Sequence, residues 1–253
     1  MAILKQRADQ LVFLQGLAPS KEQAKRRIMA REIFLAKEGK ESEPVEKPGH
    51  LYPEGTRFQA RNTTQFVSRG AYKLLTLLEE TKLVVQDCVC LDCGASTGGF
   101  TDCLLQNGAK RVYAIDVGHN QLHEKLLADP RVISHEGVNL RYPPPDLIPE
   151  PIDILTADVS FISLTLVLPP CMTWLKEDAT LAVLIKPQFE LGPHETVRGV
   201  VKNPVDQERA CKKIITFCEE NLALHLLACM PSKIKGPKGN QEFMALFARN
   251  TSQ

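Results

Sequence analysis

The chain has 253 residues, which suffices for one large domain and one small one, and its 43% hydrophobic and 24% charged residues are typical of a globular protein. No apolar run approaches the roughly 20 residues of a membrane helix, and eight cysteines without an export signal favour reduced thiols in the cytoplasm over a disulfide framework. The net charge of +1 excludes a surface that binds polyanions everywhere, although it is compatible with a local basic patch.

The first 60 residues are predicted to form a small α+β domain. Ser20 is placed to cap a helix, with Gln23 three positions on as its capping-box partner. The predicted elements are helices over 10–17 and 21–31, β-like stretches over 32–35 and 51–58, and a charged, proline-bearing loop over 37–49.

The second predicted helix carries a concentration of positive charge. Its sequence over 21–31, KEQAKRRIMAR, holds five basic residues against one acidic residue. Helical spacing turns Ala24, Ile28 and Met29 toward the core. The same spacing places three basic residues outward, Lys25, Arg26 and Arg27. On charge alone, RNA contact and a merely solvated helix face are equally good interpretations.

The polar junction QARNTTQ, residues 59–65, separates this domain from the rest of the chain. We therefore predict an N-terminal domain over 1–60, a linker over 61–67 and a larger domain over 68–250. In the larger domain, strands alternate with helices, which is typical of a parallel sheet covered on both faces. The predicted strands are 88–92, 111–116, 132–135, 152–157, 180–185, 224–230 and 242–248, and the predicted helices are 71–80, one ending at 106, 118–127, 164–174 and one starting at 204.

A glycine-rich turn, within LDCGASTGGF, joins the strand over 88–92 to the next helix. Gly94, Gly98 and Gly99 allow the backbone to pass close to a ligand. Asp116 ends the next strand, where a carboxylate can accept both hydroxyls of a ribose. The pattern is neither the G-x-G-x-x-G of dinucleotide sites nor the Gly-Lys-Ser/Thr of a P-loop. It therefore indicates an adenosine ligand, with a turn that binds nothing as the alternative.

The acidic residue beside this turn indicates the sign of the ligand's charge. Asp92 would repel a pyrophosphate, but it suits a ligand that carries an ammonium and a sulfonium, such as S-adenosylmethionine. Asn139 is a weaker candidate for the adenine side, because an asparagine in a loop is more often a turn former. The predicted cofactor residues are Asp92, Gly94, Ala95, Ser96, Thr97, Gly98, Gly99, Phe100, Asp116, Asn139 and Asp158.

Four charged residues are predicted to meet at one edge of the sheet. Asp158 and Lys186 each follow a strand, and the carboxyl ends of parallel strands share one edge. If the last strand runs antiparallel, Glu242 arrives at that same edge. Lys73, on the helix before the first strand of the sheet, would complete the group. Such charges need partners, because an unpaired buried charge is costly.

The larger domain resembles the TlyA family, within the FtsJ-like RNA ribose methyltransferases. The segments that carry the resemblance are FVSRGAYKL, LDCGASTGGFTDCLLQNGAKRVYAIDVGHNQL, LTADVSFISL, LIKPQFELG, RGVVKNP and KGPKGNQEF. The resemblance implies a Rossmann-like methyltransferase sheet, mostly parallel with its last strand antiparallel, in a domain that uses S-adenosylmethionine. It also implies a catalytic tetrad of Lys73, Asp158, Lys186 and Glu242, and 2′-O-methylation of ribose, in cytidine, within ribosomal RNA. Some members of the family carry a hemolysin label.

The N-terminal part resembles the S4 RNA-binding domain, with APSKEQAKRRI as its basic helix. It departs from the usual pattern in two places. Arg31 stands where a glycine commonly precedes the β-turn, and the insertion KEGKESEP is unusual. The resemblance implies RNA contact by the basic helix. The predicted RNA-binding residues are Lys21, Lys25, Arg26, Arg27, Arg31, Arg69, Lys233, Lys235 and Lys238; for the last three, a plain surface turn is the alternative.

Lys186 is expected to contact the 2′-hydroxyl that is methylated. An unperturbed lysine is almost entirely protonated at neutral pH, so a cationic Lys186 that orients the oxygen is favoured over a literal general base. Asp158 or water would then take the proton. No metal is required: Cys88, Cys90 and Cys93 have no evident fourth ligand, so they are expected to be ordinary buried thiols.

Two other functions compete with methyl transfer. A membrane-lytic protein is disfavoured, because the sequence has no apolar span and no strongly amphipathic basic-aromatic helix. A non-catalytic RNA-binding assembly factor is disfavoured by the intact set of four charged residues. The expected partners are ribosomal RNA or ribosomal subunits and no membrane, and a monomer is favoured.

Overall fold

The computed structural model describes residues 4–36, 43–60, 65–192 and 195–249. These residues form two compact units, Met1–Ser68 and Arg69–Gln253. Part of the predicted linker (61–64) and part of the predicted N-terminal loop (37–42) lie outside the described residues.

The first unit is a small α+β fold with a core of its own. Two antiparallel strand pairs, β1 with β3 and β2 with β4, accompany two helices. Leu11 and Val12 of the first helix, Ile28 of the second and Phe58 are buried together. The elements are β1 Lys5–Arg7, α1 Ala8–Leu14, α2 Lys21–Met29, β2 Ile33–Leu35, β3 Leu51–Pro53 and β4 Phe58–Ala60.

Helix α1 begins and ends earlier than predicted. It spans Ala8–Leu14 rather than 10–17. Gly16, with φ of +69°, takes the left-handed conformation that commonly follows a helix end, so the apolar pattern beyond it does not continue the helix.

The basic helix α2 confirms part of the prediction. The Ser20 hydroxyl accepts from the backbone N–H of Gln23 at 3.2 Å, as expected of a cap. The predictions for Met29 and Arg27 are wrong. Met29 is 68% exposed, because the residue after the buried Ile28 is rotated by about 100° around the helix. Arg27 turns back and donates to the Leu17 carbonyl at 2.6 Å.

Arg31 ends this region in a left-handed conformation with φ of +60°. A residue with a Cβ adopts this conformation at a penalty, whereas glycine does not. A glycine at this position would therefore adopt the observed backbone conformation without this penalty.

The second unit contains a seven-stranded sheet in the order β10-β11-β9-β8-β5-β6-β7. The strands are β5 Val89–Cys93, β6 Arg111–Asp116, β7 Val132–Glu136, β8 Ile152–Ala157, β9 Leu175–Ile185, β10 Leu224–Pro231 and β11 Phe243–Arg249. Strands β5 to β9 pair in parallel, and β11 pairs antiparallel with both of its neighbours. The structure therefore confirms the prediction of a mostly parallel sheet whose last strand is reversed.

Helices cover this sheet, and the strand order reverses between β5 and β8. The helices are α3 Ala71–Thr81, α4 Gly99–Gln106, α5 Glu124–Leu127, α6 Leu164–Cys171, α7 Pro187–Glu190 and α8 Pro204–Leu222, with 3-10 turns at Met172–Trp174 and Pro237–Gly239. In open α/β sheets, ligands bind beyond the carboxyl ends of the strands at such a reversal. The strand order thus locates the expected site at the ends of β5 and β8.

The predicted helix over 118–127 is wrong in its first half, since only Glu124–Leu127 is helical. The backbone N–H groups before it are bonded to acidic side chains: Gly118 donates to Asp116, and Asn120 donates to Glu136. Asn120 is also left-handed, with φ of +53°. These side-chain acceptors compete with the helical hydrogen bonds that the local pattern favours.

Candidate active site

The four predicted tetrad residues meet at the carboxyl edge of the sheet as two ion pairs. Lys73, on α3, lies 2.5 Å from the Glu242 carboxylate. Lys186, directly after β9, lies 2.6 Å from Asp158, directly after β8. Because Phe243 of the reversed strand pairs with Ile185, the chain brings Glu242 beside Lys186. The convergence depends on the antiparallel direction of β11.

The two ion pairs differ in their access to solvent. The side chains of Lys73 and Glu242 are 10% and 0% exposed, whereas those of Lys186 and Asp158 are 8% and 23% exposed. A buried charge must be paired to be tolerated. Lys73 and Glu242 therefore form an enclosed pair, and Asp158 presents the more open carboxylate of the site.

Lys186 has a further partner that sequence reasoning missed, the Ser160 hydroxyl. The Lys186 ammonium donates to Ser160 Oγ at 2.8 Å, in addition to its contact with Asp158. Of the three N–H donors of the ammonium, one is therefore directed by Ser160, and the contact with Asp158 Oδ1 is an ion pair in which that oxygen accepts no hydrogen bond. Nothing in the local sequence distinguishes Ser160 from an ordinary loop serine, because the contact joins positions 26 residues apart.

Glu242 is held on several sides. Besides its ion pair with Lys73, it accepts a long hydrogen bond from the Gln188 amide at 3.4 Å. The backbone of Gly236 packs against it so closely that a Cβ at this glycine would lie 2.0 Å from Glu242 Oε1. The glycine thus allows the loop before β11 to close over the carboxylate.

The glycine turn after β5 is fastened to Asp116 at the end of β6. One carboxylate oxygen of Asp116 accepts from the Ser96 backbone N–H at 2.8 Å, and the other accepts from the Gly118 N–H at 2.7 Å. Ser96 is exposed and left-handed, with φ of +49°. Asp116 lies at the edge where a ribose was expected, and each of its oxygens keeps further acceptor capacity.

Gly94 and Gly98 are required by packing within the domain. Both are left-handed, with φ of +80° and +94°. A Cβ at Gly94 would lie 2.8 Å from the Asp158 carbonyl oxygen, and one at Gly98 would lie 2.1 Å from Leu126 Cδ1. The other turn residues differ in exposure: Ala95, Gly99 and Phe100 are buried, and Thr97 is half-buried.

Asp92 is enclosed beneath the turn. It is fully buried, and its carboxylate accepts from the hydroxyls of Thr101 at 2.7 Å and Thr156 at 3.0 Å. Burial raises the pKa of Asp92 to about 6, although the two hydroxyls act in the opposite direction. The carboxylate thus braces the turn against α4 and β8.

Asn139, the predicted contact for adenine, forms a turn. Its side-chain oxygen accepts from the Arg141 backbone N–H at 3.0 Å, and its backbone carbonyl accepts from the Tyr142 N–H at 2.9 Å. The residue itself is exposed, just beyond β7. Its part in cofactor binding stays a prediction.

An exposed aromatic side chain beside Lys186 was also missed. Phe161 is 90% exposed and has φ of +64°, which is unusual for a bulky residue. Its ring centroid lies 5.0 Å from that of Phe189, and the Lys186 ammonium lies 5.9 Å from the Phe189 ring. A strained, solvent-facing aromatic at a strand end is a candidate for function rather than for packing.

The predicted RNA-binding cations have different surroundings. Lys21, Arg31, Arg69, Lys235 and Lys238 are exposed, and Arg26 is half-buried. Lys25 pairs with Glu22 at 3.1 Å and Lys233 with Glu80 at 3.5 Å, both exposed pairs of little energetic weight. Arg27, by contrast, bonds both Glu32 and the Leu17 carbonyl, which makes it a structural residue of the first unit.

The cysteines form no metal cluster among the described residues. Cys93 and Cys171 place their sulfurs 4.0 Å apart in the core, whereas Cys88 is half-buried. Burial raises the pKa of Cys90, which keeps its thiol protonated. Over the described part of the chain, no helix is both long and apolar enough to cross a membrane.

Comparison with known proteins gives a consistent family match. The profile of the FtsJ-like methyltransferases matches residues 66–249. The chain is 36% identical over 250 residues to the 16S/23S rRNA (cytidine-2′-O)-methyltransferase TlyA of Mycobacterium tuberculosis, with coverage of 98% of this chain and 91% of that protein. It is 36% identical over 249 residues to Hemolysin A of Brachyspira hyodysenteriae, with coverage of 95% and 99%.

Solved structures are also similar to this chain. A candidate hemolysin from Streptococcus thermophilus superposes with a TM-score of 0.76 at 40% identity, covering 99% of this chain and 90% of that one. A methyltransferase of another specificity, the N-methyltransferase NodS from Bradyrhizobium japonicum, matches with a TM-score of 0.50 at 15% identity, over 72% of this chain and 97% of that one, which is a likeness of fold alone.

Proposed function

The chain belongs to the FtsJ-like methyltransferase family, and from this premise we propose that it transfers a methyl group from S-adenosylmethionine to the 2′-hydroxyl of a ribose, that of a cytidine, in ribosomal RNA. The observation that carries the proposal is the convergence of Lys73, Asp158, Lys186 and Glu242 in two ion pairs at the carboxyl edge of the sheet.

The residues at this edge fit S-adenosylmethionine, which when bound supplies a methyl group attached to a sulfonium. Asp116 and Asp158 place carboxylates at the ends of β6 and β8, on either side of the glycine turn. Asp116 would hold the ribose hydroxyls, and Asp158 would favour the positive end of the ligand. Asp92, enclosed beneath the turn, would act by holding the turn in place.

Lys186 is the residue that would hold the attacking hydroxyl. One of its three donors is bonded to Ser160, and its charge is paired with Asp158, so another donor can bond the 2′-oxygen and stabilise the negative charge that develops there. Asp158, whose carboxylate is paired with Lys186, would accept the proton that the hydroxyl loses, either directly or through water. Lys73 and Glu242, as a buried ion pair, would hold α3 and the start of β11 together beside the site.

Phe161 supports an RNA substrate. A single exposed ring next to the attacking position can stack on the base of a nucleotide that is turned out of its helix. The exposed cations Lys21, Lys235 and Lys238 provide positive charge for the phosphates. The proposed substrate implies ribosomal subunits or their RNA as partners and the cytoplasm as location, and a monomer stays a prediction.

The test is methyl transfer from labelled S-adenosylmethionine to ribosomal RNA, followed by alkaline hydrolysis. A methylated 2′-oxygen cannot attack the neighbouring phosphate, so the label stays in alkali-resistant dinucleotides. We expect Lys186→Ala to lower the rate by about 10³-fold or more, with cofactor binding retained by calorimetry. Lys176→Ala, which removes an exposed lysine paired with Asp153 at the opposite end of the strands, is the matched control.

Each alternative function has its own outcome. Label that never appears in any RNA, together with lysis of erythrocytes by the purified chain, would support a membrane-lytic protein. Cofactor binding without transfer to rRNA or to ribosomal subunits would support a non-catalytic assembly factor. Equal activity of Lys186→Ala and wild type would remove Lys186 from the reaction.

A further inference from the structure

A tight turn outside the predicted site and the residues directly after it carry two exposed cations. The backbones of Val197 and Val200 exchange hydrogen bonds, which closes a two-residue turn over Arg198 and Gly199. Both central residues have positive φ, +53° and +77°, which matches a type I′ turn. The turn displays Arg198 at its tip, and Lys202 follows it just before α8; both side chains are exposed.

A buried amide ties this turn to the loop before Glu242. Asn240 is 2% exposed, and its side chain bonds three backbone groups. It accepts from the Val201 N–H at 3.1 Å and donates to the carbonyls of Gly199 at 2.9 Å and Pro237 at 3.2 Å. The Gln207 amide donates to the Val201 carbonyl, so both the N–H and the carbonyl of Val201 are bonded to side chains.

The second loop is in turn fastened to the catalytic edge. The Gly236 N–H donates to the Asn240 carbonyl, and Ser232 donates to the Glu242 carbonyl. A further link joins the two loops, since the Lys238 ammonium donates to the Arg198 carbonyl at 3.3 Å. Arg198 and Lys202 are therefore fixed in position relative to Glu242, although they are some 40 residues away in sequence.

The charge of this assembly is strongly positive. Arg198, Lys202, Lys235 and Lys238 have no ion pair among the described residues, and Glu195 is neutralised by Arg209. Four neighbouring cations without acidic partners repel one another, and they are stabilised by a polyanion that releases condensed counterions on binding.

We propose that Arg198, Lys202, Lys235 and Lys238, called here the two-loop surface, bind the phosphates of the RNA strand next to the target ribose, and that Asn240 is the positioning residue that holds the two loops as one surface. The inference rests on the proposed function and deepens it. It assigns a part of the RNA site to the segment over 197–203, which sequence reasoning had left without a role.

The test compares the full chain with Arg198→Ala/Lys202→Ala in binding protein-free ribosomal RNA at several KCl concentrations. Loss of two phosphate contacts is expected to weaken binding by roughly 10- to 30-fold at 0.15 M salt and to lower the slope of log K against log salt by about 1.8. The affinity for S-adenosylmethionine should not change. Lys110→Ala/Lys176→Ala, at the opposite end of the strands, is the matched control, and Arg198→Lys/Lys202→Arg should retain binding.

Asn240→Ala separates positioning from charge. It keeps all four cations, so we expect a raised KM for RNA and a lowered kcat, with cofactor binding retained. Unchanged RNA affinity in the double alanine variant would overturn the proposal, as would a loss seen only with whole subunits, which would indicate an acidic protein partner instead. If wild type neither binds nor methylates any RNA, the proposed function itself fails.

Discussion

At the scale of single residues, the proposed reaction depends on the surroundings of one ammonium group. Lys186 is 8% exposed on its side chain and is bonded by Asp158 and Ser160. These contacts orient the ammonium. The geometry of the reaction would then depend on a serine that acts through Lys186.

Removal of the Ser160 hydroxyl should therefore slow the reaction without weakening cofactor binding. In Ser160→Ala we expect kcat to fall by about 10-fold or more, since a hydrogen bond to a charged group contributes about 1.5–3 kcal/mol. The measurement is steady-state methylation of rRNA together with the cofactor dissociation constant. Ser160→Thr keeps the hydroxyl and should retain most of the activity. A merely structural serine would change stability and leave kcat unaltered.

Asp92 should make the stability of the second unit depend on pH. Its folded pKa of about 6 lies above its ordinary value of 3.8, so its contribution is fully present below pH 3.8 and is lost as the pH rises through 6. The loss amounts to about 3 kcal/mol at 1.36 kcal/mol per unit. Asp92→Asn removes this titration.

Urea unfolding of wild type and Asp92→Asn between pH 4 and pH 7.5 measures this effect. The free energy of unfolding of the variant minus that of wild type should rise across the interval, with most of the change between pH 4 and pH 6.5. A constant difference would mean that Asp92 has the same pKa in the folded and unfolded chain.

At the scale of elements, the turn after β5 and the end of β8 are packed backbone to backbone. A Cβ at Gly94 would lie 2.8 Å from the carbonyl oxygen of Asp158. Gly94 thus allows the ends of β5 and β8 to lie close together at the point where the strand order reverses. Any side chain there would displace the residue that pairs with Lys186.

We expect Gly94→Ala to lose both stability and activity. Its φ of +80° is unfavourable for alanine by about 1–2 kcal/mol, and the clash with backbone adds about 1–3 kcal/mol. Gly239→Ala is the matched control, because its φ of +84° carries the same penalty with nothing within 4 Å. Thermal unfolding should show the larger loss for Gly94→Ala. Equal losses would show that the contact with Asp158 is easily relieved.

At the scale of the whole molecule, the chain consists of two compact units, for which we expect different tasks. The second unit contains the charged residues and the glycine turn, and the first carries the basic helix α2 on a core of its own. The resemblance of the first unit to S4 domains supports a role in holding RNA. Chemistry and much of the affinity would then reside in separate parts of the chain.

Loss of two cations from α2 should weaken RNA binding without changing the affinity for S-adenosylmethionine. In Lys21→Ala/Arg26→Ala, we expect rRNA affinity to fall by roughly 10- to 30-fold at 0.15 M salt, with a salt slope smaller by about 1.8. Filter binding over a salt series measures both, and calorimetry should give an unchanged affinity for S-adenosylmethionine. An rRNA affinity equal to that of wild type would remove α2 from the RNA site.

Local features of the sequence predicted the larger domain well. The strands ending at Asp116 and Ala157 have the predicted bounds, and the cap at Ser20 accepts from the backbone as expected. Periodicity, capping and glycine spacing act within a few residues, so one chain segment contains all the information. The same reasoning failed over 118–123, where Glu136, a residue on another strand, accepts the Asn120 N–H that a helix would have used.

The sequence by itself thus determined the order of strands and helices, the glycine turn and the four charged residues of the site. Tertiary structure alone decided that Asp92 is enclosed while Asp116 lies at the open edge, that Ser160 and Phe161 flank Lys186, and that Asn240 joins two loops. The physical reason is the separation along the sequence of the residues that make these contacts. Hydrogen bonds between residues 26 to 41 positions apart depend on how strands are ordered and reversed, and local sequence patterns carry no record of that.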